Sequence, residues 1–519
     1  MSRINTNVSS QIAQRVLGQN NGALSRSLER LSTGLRVNRG KDDPAGLIAS
    51  QNLRAEKAAI SAAIGNSERA DQVVNIAEGG LDEVSSLLNE LQALITQTAN
   101  EQGLSKEEKE ANQLQIDSII QTIDRVASST SFQGLKLLNG NLDFTTTSVD
   151  AAVKSFRVNG AKLEFGSNRN VDVVVTGSAQ VGGFFLSFGN SALTLSGTND
   201  RFIIEIGGTK GTRELSFSSG TSVNSVVAAI NTFTDVTGVV ATLSGTAGVG
   251  SGIRLTSTDL GASEFVSVKV VNAGGINTAE AQAGVYRLNS TNTNVAVTTG
   301  STLFSAATTR QTDLGQNVTA TINGIQATTS GTRARINSDF LDVEIDLSTT
   351  STGTTGNAQR LGALQAFVIT GGGADFQLAG RVDIAGKVSL GIQNVQVRNL
   401  GRTEDGSSTY FLADLGAGRS LAASTGDTTV AQKVVDSAIR EVAGLRGRLG
   451  AFQKNTIGAT IRSLGVASEN TSAAESVIRD ADFASETAEL TRSQILSQSA
   501  QQILSLANSQ PQSALQLLG

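Results

Sequence analysis

The chain has 519 residues, enough for several domains, because single hydrophobic cores stop growing near about 250–300 residues. It contains no histidine and no cysteine, so zinc centres, Ser-His-Asp triads, Cys-His dyads and redox disulfides are excluded; neither a cofactor nor an enzyme is expected. A net charge of −5 with both signs interspersed makes no electrostatic case for nucleic acid, and no run approaches the ~18–20 apolar residues that span a bilayer.

The opening MSRINTNVSSQIAQRVLG lacks the unbroken apolar core of a secretory signal. It belongs to an arm made basic by Arg3, Arg15, Arg26, Arg30, Arg36, Arg39 and Lys41, which predicts charge complementarity between subunits. Leu17, Leu24, Leu28, Leu31 and Leu35 recur mostly in steps of three and four, predicting one helical seam of the coiled-coil kind. RVNRGKDDPAGL interrupts it: Gly40 is expected to end a helix, with Asp43 capping the next and Pro44 in its first turn. That reading of Asp42 and Asp43 as caps is preferred over acid/base or metal chemistry.

The next helix continues the same step through Val74, Ala77, Leu81, Val84, Leu88, Leu91 and Ile95. Ser105 and Glu108 then form a capping-box pair that opens a third helix, with Ile116, Ile120, Ile123 and Ala127 on one face. These helices have no core of their own. Their partner is expected at the other end, where Ala431, Val435, Ala438, Val442, Leu445, Leu449 and Phe452 repeat the seam. A final helix is predicted from about Ala473 to Asn508, with Leu496, Ala500, Ile503 and Ala507 as its stripe and Pro511 as its stop.

From about Leu142 to Ala423 the periodicity turns strand-like and the composition shifts to Thr, Ser, Gly, Asn and Val. VDVVVTG, RFIIEIGG, ELSFSS and FVSVKVV predict strands, SVNSVVAAINTF a short helix, and Asn323-Gly324 a turn. Two small β-rich units with a boundary near residue 285 are expected. Glycines at 248, 250 and 252 and at 371 to 373 lack the strand, spacing and helix of a phosphate loop and are read as turns. The chain thus runs out along a helical rod, builds outer modules, and returns.

INTNVSSQIAQRVL, ALSRSLERLSTGLRVNRGKDDPAGLIAS, IDRVASSTSFQGLKLLNG and RDADFASETAELTRSQILSQSAQQILSLANSQPQSALQLL resemble bacterial flagellins, in the same chain order. In the middle, DRFIIEIGGTKGTRELSFSSGTSVNSVVAAIN is similar to an insert motif of some flagellins. The resemblance implies an α + β multidomain fold whose terminal helices pair into a helical-bundle rod carrying inserted β-rich outer domains. It implies residues 1–42 with 470–519 as terminal helices of a filament core, and 43–175 with 424–469 as a helical rod domain with a β-hairpin. Residues 176–285 and 286–423 would be the two outer domains.

The same resemblance implies a subunit that polymerises with copies of itself into a secreted, extracellular filament for swimming motility. It would be exported by the flagellum's own type III apparatus, with hook-associated and cap proteins and an export chaperone at the C-terminal helix as partners. The alternative is a hook-filament junction protein, against which the long C-terminal similarity argues. Glu90, Leu94 and Gln115 fall where flagellins are read by a vertebrate Toll-like receptor. Recognised flagellins usually carry arginine at the position of Glu90 and glutamate at that of Gln115, so a charge-assisted contact is expected to be lost.

Overall fold

The structure is a computed structural model that describes residues 6–100, 103–164, 166–197, 200–244, 252–276, 283–289, 301–349, 359–405, 408–422 and 426–516. Eight α-helices are described: α1 (Val8–Thr33), α2 (Pro44–Thr98), α3 (Lys106–Ser129), α4 (Val223–Asn231), α5 (Thr234–Thr237), α6 (Thr428–Ala451), α7 (Gly458–Arg479) and α8 (Phe483–Gln516). The chain divides into two compact units. One comprises Met1–Glu78, Phe376–Lys387 and Arg446–Gly519; the other comprises Gly79–Asp375 and Val388–Leu445.

Local chemistry sets the helix ends. The Asn7 side chain accepts from the Ser10 N–H and caps α1, and Gly34, at φ 72°, ends it with its N–H on the Arg30 carbonyl. A left-handed residue terminates a helix, and glycine adopts it without Cβ strain. This corrects the expected stop at Gly40 and leaves Leu35 beyond the helix, bridged to Asp480. Asp43 accepts from the Gly46 N–H at 2.8 Å ahead of Pro44, and Ser105 and Glu108 form the reciprocal capping box.

At the other end, α6 passes through one π-helical turn, Phe452–Ile457, into α7. The single final helix expected from Ala473 is instead two. α7 ends at Arg479, and Asp482 caps α8 by accepting from the N–H groups of Ala484 and Ser485 at 2.9 and 3.3 Å. The α8 backbone remains helical through Pro511 to Gln516, past the stop expected there.

In the unit that begins at Gly79, two β-sandwiches have separate cores. The first joins a five-stranded sheet, in the order Thr302–Leu303, Gly284–Arg287, Gly183–Ser187, Gly252–Ser257, Val239–Ser244, to a four-stranded one. The order in the latter is Gln311–Leu314, Phe265–Asn272, Arg201–Gly208, Gly211–Ser218. Phe184, Phe202, Ile204, Ile253, Val268 and Phe304 fill the space between these sheets, with Val226 and Ile230 of α4. Of the glycines at 248, 250 and 252, the first two lie outside the described residues and Gly252 begins a strand.

The second sandwich is discontinuous in sequence. Arg169–Gly177 pairs with Thr319–Ile322 on one side and Gly362–Gly372 on the other, while Val153–Ala161 pairs with Leu341–Leu347. One core, including Val158, Val171, Val173, Ala320, Val343, Ile345 and Phe367, joins both sheets. This corrects the domain boundaries expected above. Strands within 144–177 belong with 319–372 rather than to a helical rod domain, and the first sandwich is inserted between them. Pairing across so long an insertion leaves no trace in local periodicity. At the turn read from Gly371 to Gly373, all three residues have positive φ, and a Cβ on Gly372 would lie 2.2 Å from the Asp143 carbonyl oxygen.

The two sandwiches are clamped where the chain passes between them. Gln180 and Gln316 exchange backbone hydrogen bonds at 2.8 and 3.0 Å. The Asn317 Oδ1 accepts from the N–H of Ala262 in one module at 2.8 Å and of Gly331 in the other at 2.9 Å, while its Nδ2 donates to the Thr329 carbonyl. Asn317 begins an N-x-T sequon, but its amide nitrogen is engaged in this clamp.

Candidate assembly surfaces

In the unit containing both chain ends, α1 and α8 pair through leucines interleaved with small and polar side chains. Along α1 the positions turned inward are Ser10, Ala13, Leu17, Asn20, Leu24, Ser27 and Leu31, at strict steps of three and four; Ser10, Ala13 and Ser27 are buried and the rest half-buried. Along α8 they are Ser493, Ser497, Ala500, Leu504 and Ala507, at the same steps. Small residues let the two backbones approach closely, and side-chain bonds then lock the register. Asn7 Nδ2 donates to the Ala507 carbonyl at 2.8 Å, Ser10 Oγ bonds Asn508 Oδ1 at 2.7 Å, and Ser497 Oγ bonds Asn21 Oδ1 at 2.7 Å. Arg36 finishes the pairing beyond α1, its Nη2 donating to the Ile478 carbonyl at 2.6 Å.

This register differs by a step from the stripe predicted on α8. Ala500 and Ala507 face α1, but Leu496 (46 % exposed) and Ile503 (58 %) do not; Ile495 and Leu506 are likewise exposed. On α1, Leu28 is 49 % exposed, and Val8 and Ile12 are at least half exposed. The small-residue heptad was present in the sequence. On α1 the expected Leu17, Leu24 and Leu31 lie in this seam, and apolar periodicity overlooks only the small and polar positions between them, because serine does not register as hydrophobic. On each helix, then, one seam closes the pair, and large apolar side chains elsewhere on the helix face solvent.

The second unit's helices are packed differently. Leu81, Val84, Leu88 and Leu91 of α2 are fully buried and Ile95 nearly so, as are Ile116 and Ile123 of α3 and Val434, Val435, Ala438, Val442 and Leu445 of α6. Gln92 Nε2 donates to Asp436 Oδ1 at 2.7 Å, directly linking α2 to α6. Leu449 is wholly buried in the unit of the chain ends, where Arg446 Nη2 meets Glu78 Oε1 at 2.9 Å and Gln453 Nε2 bonds Asp71 and Asn75. Of the three residues expected from the resemblance to face a receptor, Glu90 and Gln115 are exposed, whereas Leu94 is buried.

A polar cleft of about 1100 Å³ opens beside α6 in the second unit, lined by Lys154, Arg157, Arg402, Glu404, Arg440 and Glu441 among others. Lys154 and Arg402 both pair with Glu404, at 2.8 and 3.1 Å, and Arg402 Nη1 also donates to the Lys154 carbonyl. Burial raises the Glu441 carboxyl above its ordinary value, against the opposing pull of the Gly401 N–H, Arg157 and Arg440. The native chain therefore holds this proton to higher pH than the unfolded chain, so the group's contribution to stability falls as pH rises through and above the ordinary glutamate range. Glu441→Gln keeps an acceptor for Gly401. It is expected to raise the melting temperature by a few degrees near neutrality and by less near pH 4, as calorimetry of the unassembled chain can check.

Among the described residues no group of three or more His, Cys, Asp or Glu is placed to hold a metal, and no helix is long and apolar enough to cross a membrane. Family models match over three stretches. They are the bacterial flagellin N-terminal helical region over residues 4–143, the flagellin hook IN motif over 193–259, and the bacterial flagellin C-terminal helical region over 432–518. The chain is 28% identical to flagellin A of Helicobacter pylori and 26% identical to flagellin D of Vibrio cholerae serotype O1, each over 99% of both chains. It belongs to the bacterial flagellins.

This flagellin is therefore a subunit of the bacterial flagellar filament, and its family is a structural one. The helical ends seen here fall where the family's N- and C-terminal helical regions match. Among solved structures, FliC of Burkholderia pseudomallei aligns over 74% of this chain and 99% of that chain at 15% identity, with a TM-score of 0.22, too loose to carry an argument.

Proposed function

We propose that this flagellin polymerises through the large apolar side chains that α1 and α8 leave exposed. The observation that carries the reading is the division of labour on these two helices. Ser10, Ala13, Ser27, Ser493, Ser497, Ala500 and Ala507 close the pair, while Ile12, Leu28, Leu496 and Ile503 remain in water. Large apolar side chains left exposed in such number on two paired helices mark an interaction site. The fully buried Leu81, Val84, Leu88, Leu91, Val442 and Leu445 serve a different end, holding each subunit rigid.

On this reading the filament lies outside the cell, the chain reaches it by flagellar export with a chaperone at α8, and cap and hook-associated proteins adjoin it at the filament's ends. Purified subunits are expected to grow long filaments from filament seeds at neutral pH. Electron micrographs that show only short rings, or no growth on seeds, would favour the junction reading.

The receptor-like surface follows the same logic. Glu90 and Gln115 are exposed, and the anion at Glu90 stands where a cation makes a charge-assisted contact in recognised flagellins. Buried Leu94 offers little of its side chain to a partner. Purified monomer is expected to activate receptor-bearing reporter cells weakly, and Glu90→Arg with Gln115→Glu to strengthen the response. A strong response to the unaltered chain contradicts this.

A further inference from the structure

Of the two sheets in the first sandwich, the five-stranded one ends at Val239–Ser244, which among the described residues pairs on one side only, with Gly252–Ser257. Its sequence, VVATLS, has high strand propensity and contains no charge and no proline. Free edges normally carry such residues because an unpaired row of N–H and C=O groups is a template for another strand. The edge strand Gly211–Ser218 of the facing sheet follows that rule, with Arg213 and Glu214. Val239–Ser244 does not.

Its open side is nevertheless largely occupied. The Ala241 N–H donates to Asn231 Oδ1 at 2.8 Å, and the Ala241 carbonyl accepts from Asn231 Nδ2 at 2.9 Å. Two residues earlier, the Val239 N–H donates to Thr237 Oγ1 at 3.2 Å and the Val239 carbonyl accepts from Thr234 Oγ1 at 3.0 Å. Alternate residues of a strand turn their backbone groups to the same side. Asn231 at the end of α4, and Thr234 and Thr237 of α5, therefore satisfy both groups at two consecutive outward positions. The next such position is Leu243, whose side chain is more than half exposed.

We propose that Asn231, backed by Thr234 and Thr237, closes this edge as a strand would, and that the partner it excludes is the same edge of a second copy. An antiparallel strand is complementary to itself about a twofold axis, so two uncharged VVATLS edges can join their sheets with nothing to repel them. One asparagine amide, offering a donor and an acceptor together, replaces the peptide group of that neighbour. The inference concerns the first sandwich alone and stands whether or not α1 and α8 carry polymerisation.

The native chain has no cysteine, so Thr242→Cys, at an exposed position on this strand, gives one site for a pyrene label. The label is followed in the full-length chain below its polymerising concentration. Adding Asn231→Ala is expected to speed amide exchange at Ala241 about tenfold and to raise concentration-dependent excimer emission several-fold. Asn231→Asp keeps the acceptor and places a charge at the edge, so its emission is expected to stay at the starting level. Leu243→Lys added to Asn231→Ala is expected to return emission to that level, which general unfolding would not do. The proposal is overturned if Asn231→Ala produces no excimer, if Asn231→Asp produces as much, or if Leu243→Lys fails to reverse it.

Discussion

A subunit carrying Leu496→Asp and Ile503→Asp together is expected to stay monomeric where the unaltered flagellin polymerises. Both side chains are about half exposed in the isolated chain and lie off the seam that α8 makes with α1. Covering a leucine or isoleucine in a contact contributes about 1.5–3 kcal/mol, and an unpaired carboxylate there costs several more. Two such losses in each subunit should raise the critical concentration by roughly a thousandfold or more. Ser493, Ser497, Ala500 and Ala507 are untouched, so the α1–α8 pair and its helical circular dichroism should persist. Sedimentation of the variant onto filament seeds checks the first part, and growth at the ordinary concentration would sink it.

Leu88→Ala is expected to act on the opposite property, stability. Leu88 is wholly buried among the helices of the second unit, in the same run as Leu81, Val84 and Leu91. Truncating such a side chain loses transfer free energy and leaves a cavity, together about 2–5 kcal/mol, a large share of the ~5–15 kcal/mol that holds a domain. Urea unfolding followed by helical circular dichroism should show a clearly lower midpoint. Glu90→Ala, two residues away but exposed, should shift it by no more than about 0.5 kcal/mol. Equal effects from the two substitutions would mean that this face of α2 is not the packed one.

The helices on either side of the β-rich middle are legible because their determinants are local. Asp43 before Pro44, the Ser105–Glu108 box, and the three-four recurrence from Leu81 to Ile95 each act within a turn or two, so the residues that cause the structure sit side by side in the chain. The helix at Val223–Asn231 and the turn at Asn323-Gly324, both residues with positive φ, were legible for the same reason. The break at Asp482 is hidden although its signal is local, because an aspartate inside an apparently continuous helical pattern reads as surface charge until its carboxylate is seen on two N–H groups. Gly34 and Gly40 look alike in the sequence, since only backbone angles tell which of two glycines is left-handed.

By itself, then, the sequence determined that this flagellin has helical ends, a β-rich middle, no histidine or cysteine chemistry, and motifs that belong to one family. Tertiary structure alone decided which strands share a core, because the pairing of 169–177 with 319–322 and 362–372 depends on residues far apart in the chain meeting in register. It also decided which stripe of each terminal helix faces inward. Hydrophobicity favours burying Leu496 and Ile503, but close approach of two backbones and the bonds from Asn7, Ser10 and Ser497 select the serine and alanine face. The apolar side chains left in water are the ones a neighbouring subunit can cover.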